Sequence, residues 1–338
     1  MTVHQIIAEG KSPSMPTTSD PNQAIYIDAT APLLQPRELA RRLPAIHAGG
    51  IEALLATAGA IEDFRTTMEV IGEWLEIERC GGQKIRIARS VAEIRAAKHA
   101  GEIAIVLHFQ GADPIEDELN FINIFQAVGL RVMQLTYNAR NRLGDGCFEP
   151  TDAGLSKFGK QVIYRMEALR MAIDLAHAGN RTALEAVAAA TRPVVVTHAN
   201  ARALMDTPRN VSDDLIKAIA ASGGVIGICA VPFFLTRVGQ PTLETMIDHV
   251  AYVADLVGIA HVGLGFDFAE EDADDYVYYG YDERYVPMPP WKFPIGISGH
   301  AEAGNVAVAL RARGFSADDV MNVLGGNFLR VFGQIWGS

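Results

Sequence analysis

Two histidines stand where apolar runs end. His177 closes Asp174-Leu-Ala-His177, and His198 lies in Thr197-His198-Ala-Asn200. Neutral imidazole is a good ligand for zinc and similar ions. Asp267, in Gly265-Phe-Asp267-Phe, ends another such run, and a carboxylate beside a metal can take a proton from bound water. Arg209, in Pro208-Arg209-Asn210, adds a fixed cation. Singly, each residue has a plain structural reading. A strand-end His can be a hydrogen-bonded scaffold residue, Asp267 a helix cap, and Arg209 a surface ion-pair partner. Two imidazoles on neighbouring strand ends, with a carboxylate two strands on, can instead face one point. The chemistry of such a point is metal-assisted hydrolysis.

For these residues to meet, the chain must bring its strand ends to one mouth. Eight β-rich runs can do so, at residues 25–30, 51–57, 103–110, 132–137, 171–177, 193–199, 225–231 and 261–268. Most are near-continuously apolar, as expected of parallel strands buried on both faces. Helical patterns alternate with them, at 37–48, 119–128, 158–170, 182–191, 212–221 and 243–257. Ser212 followed by Asp213 and Asp214 starts a helix, and Ser222-Gly-Gly224 stops it. Residues 61–89 insert a long helix and a short strand at 84–88, and two helices, at 301–313 and 317–335, finish the chain. Eight βα repeats predict a closed (β/α)8 TIM barrel rather than an open sheet, with its active site at the C-terminal ends of the strands. The barrel is expected as one domain over 25–338, after a polar, Pro/Ser/Thr-rich arm at 1–24.

A family resemblance rests on an ordered series of segments. Gly129-Leu-Arg-Val-Met-Gln-Leu-Thr-Tyr-Asn138 leads into Asn141-Arg-Leu-Gly-Asp-Gly146 and Gly154-Leu-Ser-Lys-Phe-Gly159. The segments holding His177, His198 and Arg209 follow, then His261-Val-Gly-Leu-Gly265 and Gly325-Gly-Asn-Phe-Leu-Arg330. The series resembles the membrane dipeptidase family (renal dipeptidase-like, peptidase family M19), across residues 25–333. The resemblance implies a (β/α)8 barrel, a pair of zinc ions bridged by a carboxylate, and hydrolysis of dipeptides. It makes His177 and His198 the ligands of the second metal, Arg209 the group that binds a substrate carboxylate, and Asp267 the proton handler.

The departures from the family pattern matter as much. Thr30 and Pro32, in Asp28-Ala-Thr-Ala-Pro32, fall where the family has a His and an Asp on one metal. Gln110 falls at the bridging Glu, and Tyr137 at a further His. Gln is a neutral oxygen donor and a poor bridge between two dications. His108 shares a strand face with Gln110, one layer below, and Asp28 by the same alternation shares a face with Thr30. His108 and Gln110 are therefore candidate ligands beside His177 and His198, with interior hydrogen bonding as the alternative for His108 and the preferred reading for Asp28. Tyr137 is a candidate catalytic phenol or an aromatic lining residue. Asn138 beside it is expected to contact substrate. Cys147, near the mouth, lacks a base partner in sequence and is not read as a nucleophile. Residues 276–291, rich in Tyr, Pro and Trp, are expected as a loop covering the pocket.

The expected function is a metal-dependent amidohydrolase. It would cleave an amide in a small carboxylate-bearing substrate with one zinc or similar ion per chain; two or none are the alternatives. A lyase or isomerase, or a ligand-binding barrel without catalysis, are the competing classes. The formal net charge of −11 argues against nucleic acid. No run reaches the ~18 apolar residues of a membrane span. Three cysteines, Cys80, Cys147 and Cys229, make no disulfide framework, and no signal sequence is apparent. A cytoplasmic protein is expected, and the resemblance adds a homodimer.

Overall fold

The strands are almost wholly buried and largely apolar, and they close into a ring with polar side chains at one end. The computed structural model describes residues 25–270 and 272–337; the arm expected at 1–24 lies outside them. The strands are β1 (Ile27–Ala31), β2 (Ala53–Gly59), β3 (Ile85–Ile87), β4 (Ile103–Phe109), β5 (Leu130–Gln134), β6 (Ala172–Asp174), β7 (Val195–Ala199), β8 (Val225–Ile228) and β9 (Val262–Leu264). All pairings are parallel, in the order β1-β2-β4-β5-β6-β7-β8-β9. β3 is the inserted strand. It takes the lower part of the β4 edge, through Ile103 and Ile105, and β5 takes over from Leu107.

The helices of the outer layer are α1 (Leu39–Ala48), α2 (Phe64–Cys80), α3 (Val91–Ala100), α4 (Leu119–Val128), α5 (Lys157–Ala168), α6 (Asn180–Ala189), α7 (Asp213–Ala221) and α8 (Leu243–Val257). After β9 come α9 (Ala273–Tyr278), α10 (Asn305–Ala312), α11 (Ala317–Met321) and α12 (Asn327–Trp336). Side-chain caps set several starts. Asp63, Ser90, Ser156 and Ser212 each accept a backbone N–H from the first turn of α2, α3, α5 and α7. Gly81 and Gly101, with φ of 68° each, end α2 and α3 in the left-handed conformation that glycine adopts without strain.

The ring closes between β9 and β1. The Phe266 N–H donates to Asp28 Oδ1 at 2.8 Å, and the Asp267 N–H to the Thr30 carbonyl at 3.2 Å. The other Asp28 oxygen accepts from His300 Nε2 at 2.8 Å. Asp28 is thus a seam clamp. Ile27, Ala53, Leu55, Val106, Val132, Ala172, Val195 and Val225 form an apolar cluster with Phe328 and Phe332 of α12, which plugs the barrel from below. The larger cluster packs the outer strand faces against the helices. Among the described residues no helix is long and apolar enough to cross a membrane.

Three expectations are corrected. The strands of the second half are shorter than their apolar runs, so Tyr137, His177 and Asp267 lie just beyond β5, β6 and β9. The helix expected over 317–335 is broken between α11 and α12 at Asn322–Gly326, because Gly325 passes against the Ile25 carbonyl with no room for a side chain. Residues 276–291 are not all loop, since α9 runs to Tyr278. The β1–β2 register shifts between Asp28 and Ala31, and Asp28 Oδ1 accepts the Thr30 N–H at 3.1 Å, so the two residues stay together at the seam.

Candidate metal and active site

His177 follows β6 and His198 lies within β7, and their rings converge with Nε2 to Nε2 at 3.0 Å. The tautomers follow from the partners of the other ring nitrogens. Asn138 donates its Nδ2 to the Tyr279 carbonyl at 3.0 Å, which turns its Oδ1 toward His177. The His177 Nδ1–H therefore donates to Asn138 Oδ1 at 2.8 Å. His198 Nδ1 faces two hydroxyls, Thr30 Oγ1 and Thr197 Oγ1, both at 2.8 Å. Each hydroxyl spends its proton elsewhere: Thr30 on the Ala29 carbonyl at 2.6 Å, Thr197 on Asp174 Oδ2 at 2.6 Å. Both must accept from His198 Nδ1–H. Each imidazole is left with an Nε2 lone pair, and the lone pairs point at one another.

Two lone pairs at that distance repel unless a cation lies between them. Two nitrogens bound to one tetrahedral zinc at about 2.0–2.1 Å lie roughly 3.3 Å apart, so the donor set fits such an ion. Burial holds both imidazoles well below their ordinary pKa, and the Arg209 charge pushes the same way. They stay neutral, as metal ligands must be. Asp267 Oδ2 is 3.9 Å from His198 Nε2 and is the nearest carboxylate to complete the set. Among the described residues no three His, Cys, Asp or Glu side chains already stand in ligand geometry.

Around this point the chain is unusually constrained. His177 and Asp267 both have φ of 60°, a left-handed backbone that non-glycine residues rarely adopt and that concentrates at functional sites. Burial raises the Asp267 carboxyl to about 6, with Arg209 opposing and Asp28 adding to the shift. Arg209 is 2% exposed. Its NH2 donates to the His198 carbonyl at 2.9 Å and its plane lies over Phe234 at 5.5 Å. Its Nε and NH1 have no partner. A buried guanidinium with uncommitted N–H groups suits a carboxylate.

The remaining expected residues fall as follows. Tyr137 stacks on His177, ring centres 4.2 Å apart, and its hydroxyl is 3.2 Å from that of Tyr281. Gln110 donates its Nε2 to Thr57 Oγ1 at 2.9 Å. His108 is fully buried with Nε2 on Asp174 Oδ2 at 3.0 Å, so it supports the layer below and does not join the histidine pair. Asn138 has both amide atoms on protein partners, His177 and Tyr279, rather than open to a ligand. Burial pushes the Cys147 thiol up to about 12, which leaves it un-ionised and poorly nucleophilic. The reading of the sequence missed Thr197 and Asp174 as the support of His198. Their only signal was adjacency to the histidines, since the hydroxyl-to-carboxylate contact crosses strands. It also missed Tyr279 and Tyr281 as the residues that bring the covering segment to the site.

Comparison with known proteins places the chain in a family. A family model for membrane dipeptidase (peptidase family M19) matches residues 39–279. A Klebsiella pneumoniae protein from the pqqA 5′ region is 30% identical over 75% of this chain and 90% of its own length. The dipeptidase aclJ of Aspergillus oryzae is 29% identical over 73% of this chain, which spans 56% of that protein. A solved structure of an amidohydrolase from Pseudomonas aeruginosa has a TM-score of 0.86 at 30% identity, covering 94% of this chain and 98% of that one.

Proposed function

The chain belongs to the membrane dipeptidase family, peptidase family M19, and from that premise we propose that it is an amidohydrolase using one metal ion on a small carboxylate-bearing amide. The observation that carries the proposal is the pair of facing His177 and His198 lone pairs, beside Arg209, whose NH2 is anchored on the His198 carbonyl while Nε and NH1 have no partner.

A metal ion held by His177 and His198, with Asp267 completing the set or accepting its proton, would supply Lewis acidity to the amide carbonyl and a more acidic bound water. The other contributions come from the protein. Arg209 supplies the charge and the uncommitted N–H groups that take the substrate carboxylate. Asp267 accepts a proton from the attacking water, and its raised pKa suits it to return that proton to the leaving amine. Tyr137 places a phenol beside the histidines, where it can donate to the developing oxyanion. A dipeptide or an N-acyl amino acid has the required amide and carboxylate.

One metal rather than two is supported by the replaced positions. Thr30 spends its hydroxyl on the Ala29 carbonyl and His198, and Gln110 spends its amide N–H on Thr57. Neither supplies a negative charge to a second dication. The test is metal content of the protein purified without added metal, by elemental mass spectrometry, with hydrolysis of dipeptides and N-acyl amino acids. About one ion per chain is expected, and His198→Ala should lose both metal and turnover. Two ions would restore a dinuclear reading. No uptake on zinc titration would sink the proposal and favour metal-free chemistry or ligand binding. Turnover unchanged in His198→Ala would sink it equally.

A further inference from the structure

We infer that Asn138 is a positioning residue that couples closure of the segment over the mouth to the metal-competent tautomer of His177. The inference rests on the metal reading of the two histidines.

The covering segment, residues 272–291, is an internally packed unit. Asp272 caps α9, Tyr276 donates its hydroxyl to the Val286 carbonyl at 2.6 Å, and Tyr281 stands edge-on to Trp291 at 5.6 Å. It meets the site at two consecutive residues. Asn138 Nδ2 donates to the Tyr279 carbonyl, and the Tyr137 hydroxyl lies 3.2 Å from that of Tyr281. The same two residues hold His177, Tyr137 on the ring face and Asn138 on Nδ1. With the segment in place the site is nearly sealed: His198 is 0% exposed, Asn138 1% and His177 5%. Lifting of the segment would break both contacts and open a route to the site.

Lifting removes the acceptor that orients the Asn138 amide. A flipped amide would present Nδ2 to His177 Nδ1, and two donors cannot bond. The imidazole would then have to move its proton to Nε2, and its lone pair would leave the metal point. With the segment closed, the Tyr279 carbonyl selects the amide orientation, the amide selects the Nδ1–H tautomer, and Nε2 is free to bind. Such coupling is reciprocal, so a metal on His177 must favour the closed segment by the same factor.

The test is amide hydrogen exchange over residues 276–286, whose N–H groups include those of Tyr279, Gly280 and Tyr281 bonded within the segment, measured with and without zinc. Zinc affinity is measured in parallel by chelator competition. In the wild-type chain zinc should slow this exchange by about tenfold. Asn138→Ala should weaken zinc binding by roughly tenfold, at the low end for a lost outer-shell partner, and abolish the effect of zinc on exchange. Asn138→Asp keeps an acceptor for His177 but no donor for Tyr279. It should retain zinc affinity within a few fold while losing the exchange effect, and it serves if the alanine variant does not fold. Zinc binding without slowed exchange in the wild type would overturn the coupling and leave the metal reading intact. So would a full zinc effect in both variants. No zinc binding by the wild-type chain would overturn both.

Discussion

The Nδ1 nitrogen of His198 meets two hydroxyls, from Thr197 on its own strand and Thr30 across the barrel, and Thr197 passes the contact on to Asp174. A carboxylate behind a ligating imidazole commonly fixes its orientation and raises its basicity; here a threonine stands between them. Thr197→Val should weaken zinc binding by about tenfold in chelator competition, whereas Thr30→Val should weaken it less, because Thr197 retains its link to Asp174. Equal losses would mean that the carboxylate contributes nothing through Thr197. Arg209 makes a second prediction at this scale. Arg209→Met should lower kcat/KM for an N-acyl amino acid by ~100-fold, in line with the loss of a charge-assisted pair worth a few kcal/mol. It should change turnover of the corresponding C-terminal amide far less. A uniform loss on both substrates would remove the carboxylate from the Arg209 assignment.

His249 of helix α8 reaches the loops at the mouth. His249 accepts the Ala201 N–H on Nδ1 at 3.1 Å and bonds the Leu235 carbonyl through Nε2 at 3.2 Å. It thereby ties the loops after β7 and β8 to the helix. Because Nδ1 is an acceptor, the ring must be neutral, and burial lowers its pKa below the ordinary imidazole value of 6.5. The unfolded chain takes up a proton that the fold excludes. His249 therefore contributes stability above about pH 6.5 that is lost as pH falls, by up to about 1.4 kcal/mol per pH unit. Urea unfolding between pH 7.5 and 5 should show a steeper loss for the wild type than for His249→Gln. Parallel curves would mean that the ring protonates within the fold. A second element-scale constraint lies on β8 and just past β9, where a Cβ on Gly227 or Gly265 would collide with the Thr197 carbonyl. Gly265→Ala should cost roughly 1–3 kcal/mol of stability by overpacking, read as a lower urea midpoint. It should also disturb His198, which follows Thr197.

At the scale of the molecule, the barrel has a polar layer at its mouth and an apolar floor closed by α12. Phe328 and Phe332 of that helix are fully buried against the strand bases. Phe328→Ala should cost about 3–5 kcal/mol, seen as a reduced midpoint in denaturant with little change in zinc affinity per folded molecule. A large change in zinc affinity would mean that floor and mouth are not mechanically separate. The eight strands and most of the helices were legible in the chain because a parallel strand buried on both faces must be apolar throughout. Two of the helices, α4 at Leu119–Val128 and α8 at Leu243–Val257, match their sequence patterns end to end. The break between α11 and α12 was not legible, since it depends on how closely Gly325 approaches Ile25.

The sequence by itself determined the barrel, the family, and the presence of His177, His198, Arg209 and Asp267 near strand ends. Those features follow from local periodicity and ordered motifs, which a single chain displays without folding. Only the tertiary structure decided what each polar atom does. It made Asp28 the clamp between β1 and the chain after β9, sent His108 to Asp174, and set Asn138 between His177 and the covering segment. A hydrogen bond is settled by a few tenths of an ångström between strands distant in sequence, and no local pattern of residue types encodes that distance.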